Sequence, residues 1–258
     1  MAHPLLINLH DIIIAGGMCA FLCVCHYLSP EVKRLKRIDP AQVISFSGGV
    51  AVGYVFLHML PELVESRDKI HELLQHYTTM TPLKDLIVFF IALLSFELYY
   101  LMEYICHKSD LSNISINRRT FRFTLGFYFV YNFLLTYTLI LRVATGIFYA
   151  FLFTLAMGLH FVLTDRHIKR YFPHLFDFKS RLILLFALIA GFVFSTIIQV
   201  NVYIASLLTA FLSGAILYNA FSEEITLTKQ TRIAFFFFGT IIMASILALA
   251  LVYRAQLG

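Results

Sequence analysis

Charge is what this sequence has least of. Asp, Glu, Lys and Arg make up 14% of its 258 residues, where a soluble domain carries about 25%. A water-covered globular surface is excluded, and no polar stretch is long enough to form a separate soluble domain. Cysteine is scarce too: Cys19, Cys23, Cys25 and Cys106 are all there are, and no two have the C-x-x-C spacing of a zinc or redox site. They read as small apolar filler of helices, without a disulfide. No basic segment precedes the first apolar run, which follows MAHPLLINLHD. That run is therefore expected to stay rather than be cleaved as a signal. Tryptophan is absent, and 27 Phe and 14 Tyr supply the core and interface aromatics instead. Nucleophile elbow, phosphate-binding glycine loop and H-E-x-x-H pair are all missing. HFVLTD, His160 to Asp165, lacks the second histidine and adjacent glutamate of a metalloprotease helix. The chain reads as no enzyme, with no resident cofactor.

What is present is apolar length. The mean hydropathy is +0.80 and 60% of residues are hydrophobic. A membrane-crossing helix needs about 20 apolar residues, and windows of that length fall at roughly 9–28, 41–64, 84–106, 121–141, 146–165, 181–199, 201–222 and 232–253. The expectation is an all-α membrane protein of eight helices forming one domain over residues 1–258. The run Leu182 to Phe221 holds two of these helices, turning at Gln199 and Asn201. If the N-terminus faces outward, all but Arg67, Lys69, Lys84, Arg142 and Arg254 of the 20 Lys and Arg residues fall in inner loops. The positive-inside rule then puts both termini outside. The net charge of +5 follows from those loops and points to anionic lipid of the bilayer rather than to nucleic acid. A plasma, or inner, membrane is the expected location.

The second and seventh windows share a polar frame. Gly53, His58 and Glu62 follow G-x4-H-x3-E, and Gly214, Asn219 and Glu223 follow G-x4-N-x3-E. With eight helices and outward termini these two run in opposite directions. Helices 1–3 and 6–8 would be inverted repeats around a central pair, a common build of secondary transporters. His58 and Glu62 then stand toward the outer mouth, with Pro61 loosening the helix between them, and Glu223 and Glu224 at the inner mouth.

The same residues carry a family resemblance. FLHMLPE, from Phe56, resembles the second-helix signature of the ZIP (ZRT/IRT-like) divalent-metal transporters, and FLSGAILYNAFSEE, from Phe211, resembles their seventh helix. The resemblance implies a 3+2+3 helix arrangement, alternating access, and a divalent cation (zinc, iron or manganese) as substrate moved toward the cytoplasm. It implies metal contacts at His58, Glu62, Asn132, His160, Asp165, Glu223 and Glu224, and is compatible with a homodimer. The sequence departs from the family where its chemistry resides. The pattern H-N-x-x-D-G falls on Tyr131 to Thr136 and keeps only Asn132, while H-E-x-P-H-E falls on His160 to Asp165 and keeps the first histidine and a terminal acid. One imidazole and weak oxygens make a poor resting site for zinc, which takes about four ligands. A non-transporting ZIP-like protein with a partner or scaffold role is the alternative.

Other polar residues have bland readings beside functional ones. Glu97 lies deep in ALLSFELYYLM, as a functional carboxylate or a Tyr-bonded packing group. Glu103 and His107, one turn apart, read as a surface pair. His167 reads as a loop residue, and His71 and His76 as loop histidines near the outer mouth.

Overall fold

The computed structural model of the chain describes residues 8–29, 39–74, 81–108, 114–198, 202–225 and 232–257. In order, the elements are α1 (Leu9–Leu28), α2 (Pro40–Tyr54), a π-helical turn (Val55–Met59), α3 (Leu60–Leu74), α4 (Thr81–Lys108), α5 (Ile114–Tyr137), α6 (Leu139–Thr145), α7 (Ile147–Tyr171), α8 (Phe178–Ile197), α9 (Val202–Ile225) and α10 (Ile233–Leu257). No strand occurs among the described residues. The expected turn at Gln199 and Asn201 lies outside them, as does His76, and so do the side chains of Lys84, Thr164, His167, Glu223 and Glu224.

Among the described residues, six stretches are long and apolar enough to cross a membrane: α1, the continuous α2–α3 rod from Ala41 to His71, α4 from Leu86, the α5–α6 rod from Asn117, α8, and α10 to Val252. Helices α7 and α9 add shorter apolar stretches, Ile147–Phe161 and Tyr203–Asn219. The chain is an all-helical, multi-pass membrane protein in which six rather than eight stretches meet the full length. Past Phe161, α7 turns polar through Asp165, Arg166, Lys169 and Arg170.

Local signals explain where helices begin. Pro40 occupies the start of α2, where its missing N–H costs nothing, and Asp39 caps it by accepting from the Ala41 N–H at 3.0 Å. That bond, helped by Arg232 at 3.2 Å from the same carboxylate, holds the Asp39 carboxyl below its usual range. Asp177 caps α8 through the Ser180 N–H at 2.9 Å, with the same effect on its carboxyl. At the entry to α1 the Asn8 N–H donates to Asp11 at 3.1 Å.

Packing follows a paired scheme. Helix α2 lies along α10, α4 along α9, α5 along α8 and α1 along α7. Close approach of backbones needs glycine at the crossings: a Cβ on Gly49 would stand 1.9 Å from the Phe236 carbonyl oxygen on α10, and one on Gly214 1.9 Å from that of Ala92 on α4. Burial sorts the bundle into layers. Of the apolar windows, 56% is buried in the α2–α3 and α5–α6 rods, against 28% in α4 and 17% in α10. The two rods are therefore central, and α4 and α10 present Phe90, Leu93, Phe237 and Ile241 outward, as lipid allows. All four cysteines are free thiols.

Arg142 corrects the charge assignment made from sequence. It does not stand in an outward loop. The chain pauses at Thr138, resumes as α6, and carries Arg142 into the bundle with 7% of its side chain exposed.

Candidate functional site

Pro61 has no N–H to continue an α-helical ladder, and the rod answers with the π-turn just before it. There the Leu60 N–H reaches back to the Val55 carbonyl, five residues away. Such bulges re-aim the following side chains and are frequent at functional sites. His58 sits in this turn, half-buried, with its ring stacked on Tyr149 of α7 at 4.9 Å and 7° and a second contact to Tyr54 at 5.0 Å.

Glu62 follows one turn later and meets Arg142. The Arg142 Nη1 donates to both carboxylate oxygens, at 3.0 and 2.9 Å. The guanidinium lies over the Phe153 ring, 4.3 Å from its centroid. Its other edge, Nε and Nη2, is buried and has no hydrogen-bond partner among the described residues, and the same holds for the Tyr54 and Tyr149 hydroxyls. His58, Glu62, Glu65, Arg142 and Tyr149 line one cavity of about 290 Å³, with Leu247 and Leu251 on its apolar side. His58 and Glu62 are thus brought together as expected. The cation that joins them is a signal sequence reasoning passed over: Arg142 is the lone basic residue in the apolar run TYTLILRVATGIF.

Among the described residues, the other candidates stand outside this cavity. Asn132 donates its Nδ2 to the Leu184 carbonyl at 3.3 Å, and Thr136, one turn on, donates to that of Leu188 at 2.7 Å. Both tie α5 to α8. His160 is fully buried with its ring edge-on to Tyr131 at 6.2 Å. Asp165 is buried, 5% exposed. Ser29 donates to one of its oxygens, and His26 Nδ1 lies 3.4 Å from the other. His26, a single histidine in an apolar run of α1, was not singled out from sequence. Glu103 departs from a simple surface pair with His107. It accepts from the hydroxyls of Tyr171 at 3.4 Å, Ser222 at 2.6 Å and Tyr218, and ties α4 to α7 and α9. His107 instead packs edge-on against Tyr171 at 5.5 Å. Glu97 lies on the exposed face of α4. The Glu223 and Glu224 side chains lie outside the described residues, and among those described no three His, Cys, Asp or Glu side chains are grouped to hold one metal ion.

No family model, curated protein or solved structure matches this chain. The site therefore rests on its own geometry: a half-closed, polar cavity where a central rod, interrupted by a π-turn, meets a buried arginine.

Proposed function

We propose that the chain is a ZIP-like transporter of eight spans in a 3+2+3 arrangement, with inverted repeats and both termini outside, moving a divalent cation toward the cytoplasm by alternating access. In this reading α7 and α9 cross the membrane together with the six longer stretches. One observation carries it. Of the two repeat glycines, Gly53 packs against α10, 3.3 Å from the Met243 Cβ, and Gly214 packs against α4, 1.9 Å from the Ala92 oxygen, each measured from an added Cβ. Exchanging α2 with α9 exchanges α10 with α4, as an inverted repeat requires. The pairings of α5 with α8 and α1 with α7 obey the same exchange.

Within that frame His58 and Glu62 form the outer station, and Arg142 is its gate. A cation gains the Glu62 carboxylate only when the guanidinium swings away, so the ion pair keeps the outer mouth shut until an ion competes for it. His160, with Asn132, holds the ion briefly midway, and Asp165, Glu223 and Glu224 release it inside. These N and O donors suit zinc, iron or manganese. Divalent-metal accumulation in cells with and without the gene tests the reading, with His160→Ala expected to lower uptake more than His167→Ala. Absence of accumulation for every divalent ion would sink it.

A second reading has its own observations. Arg142 neutralises the Glu62 carboxylate beside His58, and the Asn132 amide is engaged on α8. Both favour a non-transporting ZIP-like protein that acts through a partner or as a homodimer.

A further inference from the structure

A second cavity, of about 420 Å³, opens between α4 and α9 and shares no described residue with the one around His58. Aromatic rings make most of its wall: Phe96, Tyr100 and Tyr104 from α4, Tyr218 and Phe221 from α9. The Tyr218 ring meets Phe96 at 82° with centroids 5.3 Å apart, and Tyr100 at 75° and 6.4 Å. These are the near-perpendicular settings of adjoining walls in a box. One acid stands among them. Glu103 lines the same cavity, and its carboxylate is held there by the hydroxyls of Tyr218 and Ser222. Those hydroxyls are neutral, so they fix the carboxylate in place without adding positive charge. His107, the remaining lining group, packs edge-on against Tyr171.

The cavity can be reached from outside the bundle. Tyr100 is 59% and Tyr104 46% exposed, and Glu103 is half-buried rather than sealed. Ring faces beside a carboxylate attract a cation, and the ring faces decide which kind. They offer no lone pair to a metal ion and no good acceptor for the several N–H groups of a primary ammonium, either of which would exchange its water for a single carboxylate. A quaternary ammonium has no N–H to satisfy, and aromatic cages take it. A cation already uses one of these walls: the Lys108 Nζ stands 4.8 Å over the Tyr104 ring. Lys108 also ends α4 and the apolar stretch that begins at Leu86. The cavity therefore lies in the last turns of a membrane-crossing helix, at the level of lipid headgroups, where tyrosines gather.

We propose that this cavity binds the choline head of a phospholipid, its trimethylammonium group among the Phe96, Tyr100 and Tyr218 rings beside Glu103 and its phosphate toward Lys108. The acid and the lysine then complement the two charges of one headgroup. The inference lies outside the cation path described above and holds whether or not a metal ion crosses the membrane.

The test uses the purified full chain in an uncharged maltoside detergent, titrated with a radiolabelled short-chain phosphatidylcholine. The phosphatidylethanolamine and phosphatidylglycerol of the same chains, and free choline, serve as competitors. The expected result is saturable binding, with both other lipids at least about tenfold weaker as competitors and free choline without effect at equal concentration. Tyr100→Leu keeps apolar bulk at an exposed position but removes the ring face, so it should lower affinity about threefold to tenfold, while Tyr100→Phe should bind like the wild type. Glu103→Gln still accepts from the hydroxyls through its amide oxygen but loses the charge, and should lower affinity about tenfold. The proposal is overturned if phosphatidylcholine binding does not saturate, if the three lipids compete equally as boundary lipid would, or if free choline displaces as well as the lipid does. It is also overturned if the Tyr100→Leu protein binds like the wild type, or if Tyr100→Phe loses as much as Tyr100→Leu. Failure of metal accumulation in cells leaves this result untouched, so the two readings fall separately.

Discussion

Removing one partner of the Glu62–Arg142 pair should harm the protein more than removing both. The charges sit about 4 Å apart, which at an effective dielectric of 20 is worth roughly 4 kcal/mol. Glu62 is 24% exposed on its side chain, and water there offsets part of that, so Glu62→Gln should cost about 2–3 kcal/mol. The greater part of this cost is the guanidinium of Arg142 left buried without its counter-charge, since two of its nitrogens already lack partners. Arg142→Gln should cost a similar amount through the stranded carboxylate, less what solvent recovers. In the double Gln variant no charge is stranded, two neutral amides can bond each other, and the loss should shrink to about 1 kcal/mol. The coupling in the double-mutant cycle is then at least about 2 kcal/mol. Unfolding by SDS titration from mixed micelles measures all four proteins. Additivity within about 0.5 kcal/mol would refute the reasoning, because it would mean the two groups do not depend on each other.

Three further outcomes follow from other parts of the fold. Gly214→Ala and Gly49→Ala each drive a methyl to 1.9 Å from a carbonyl oxygen on the facing helix, and should destabilise by about 1–3 kcal/mol or more in the same unfolding assay. Gly17→Ala and Gly126→Ala meet nothing within 4 Å and should be neutral or mildly stabilising. The caps at Asp39 and Asp177 hold carboxyls whose pKa falls on folding. Their stabilisation is present above the unfolded value of about 3.9 and is lost as pH falls through the lower folded value. Unfolding curves of wild type and an Asp39→Ala, Asp177→Ala double variant should therefore converge in acid and separate above about pH 4. Asn132→Leu removes the bond to the Leu184 carbonyl and should loosen α5 from α8 by about 1 kcal/mol. If cation transport is read out in parallel, a fall in uptake larger than this loss of stability explains would return Asn132 to the ion path.

Much of the architecture is a property of composition read locally. Long apolar runs must be helical in lipid because no water satisfies their backbone groups, so the helices stand near the windows the hydropathy marks. The disturbance at Pro61 was legible for the same reason, since it is decided within a turn of chain. The common frame of Gly53 and Gly214 could be read off the spacing, although the helices those glycines press against could not.

Tertiary structure decided the rest, because the partners are far apart in sequence. Glu62 and Arg142 are 80 residues apart, and from sequence alone Arg142 counted as one more loop charge; only the tertiary ion pair between α6 and α3 makes it the counter-charge of the cavity. Ser29 and Asp165 are 136 residues apart, and only the contact of α1 with α7 gives that acid its hydroxyl partner. Glu103 joins hydroxyls from α7 and α9 that no local spacing relates to it. A side chain's polarity is written in the sequence, but whether it faces an ion, a carbonyl or another charge depends on which helix the bundle sets beside it.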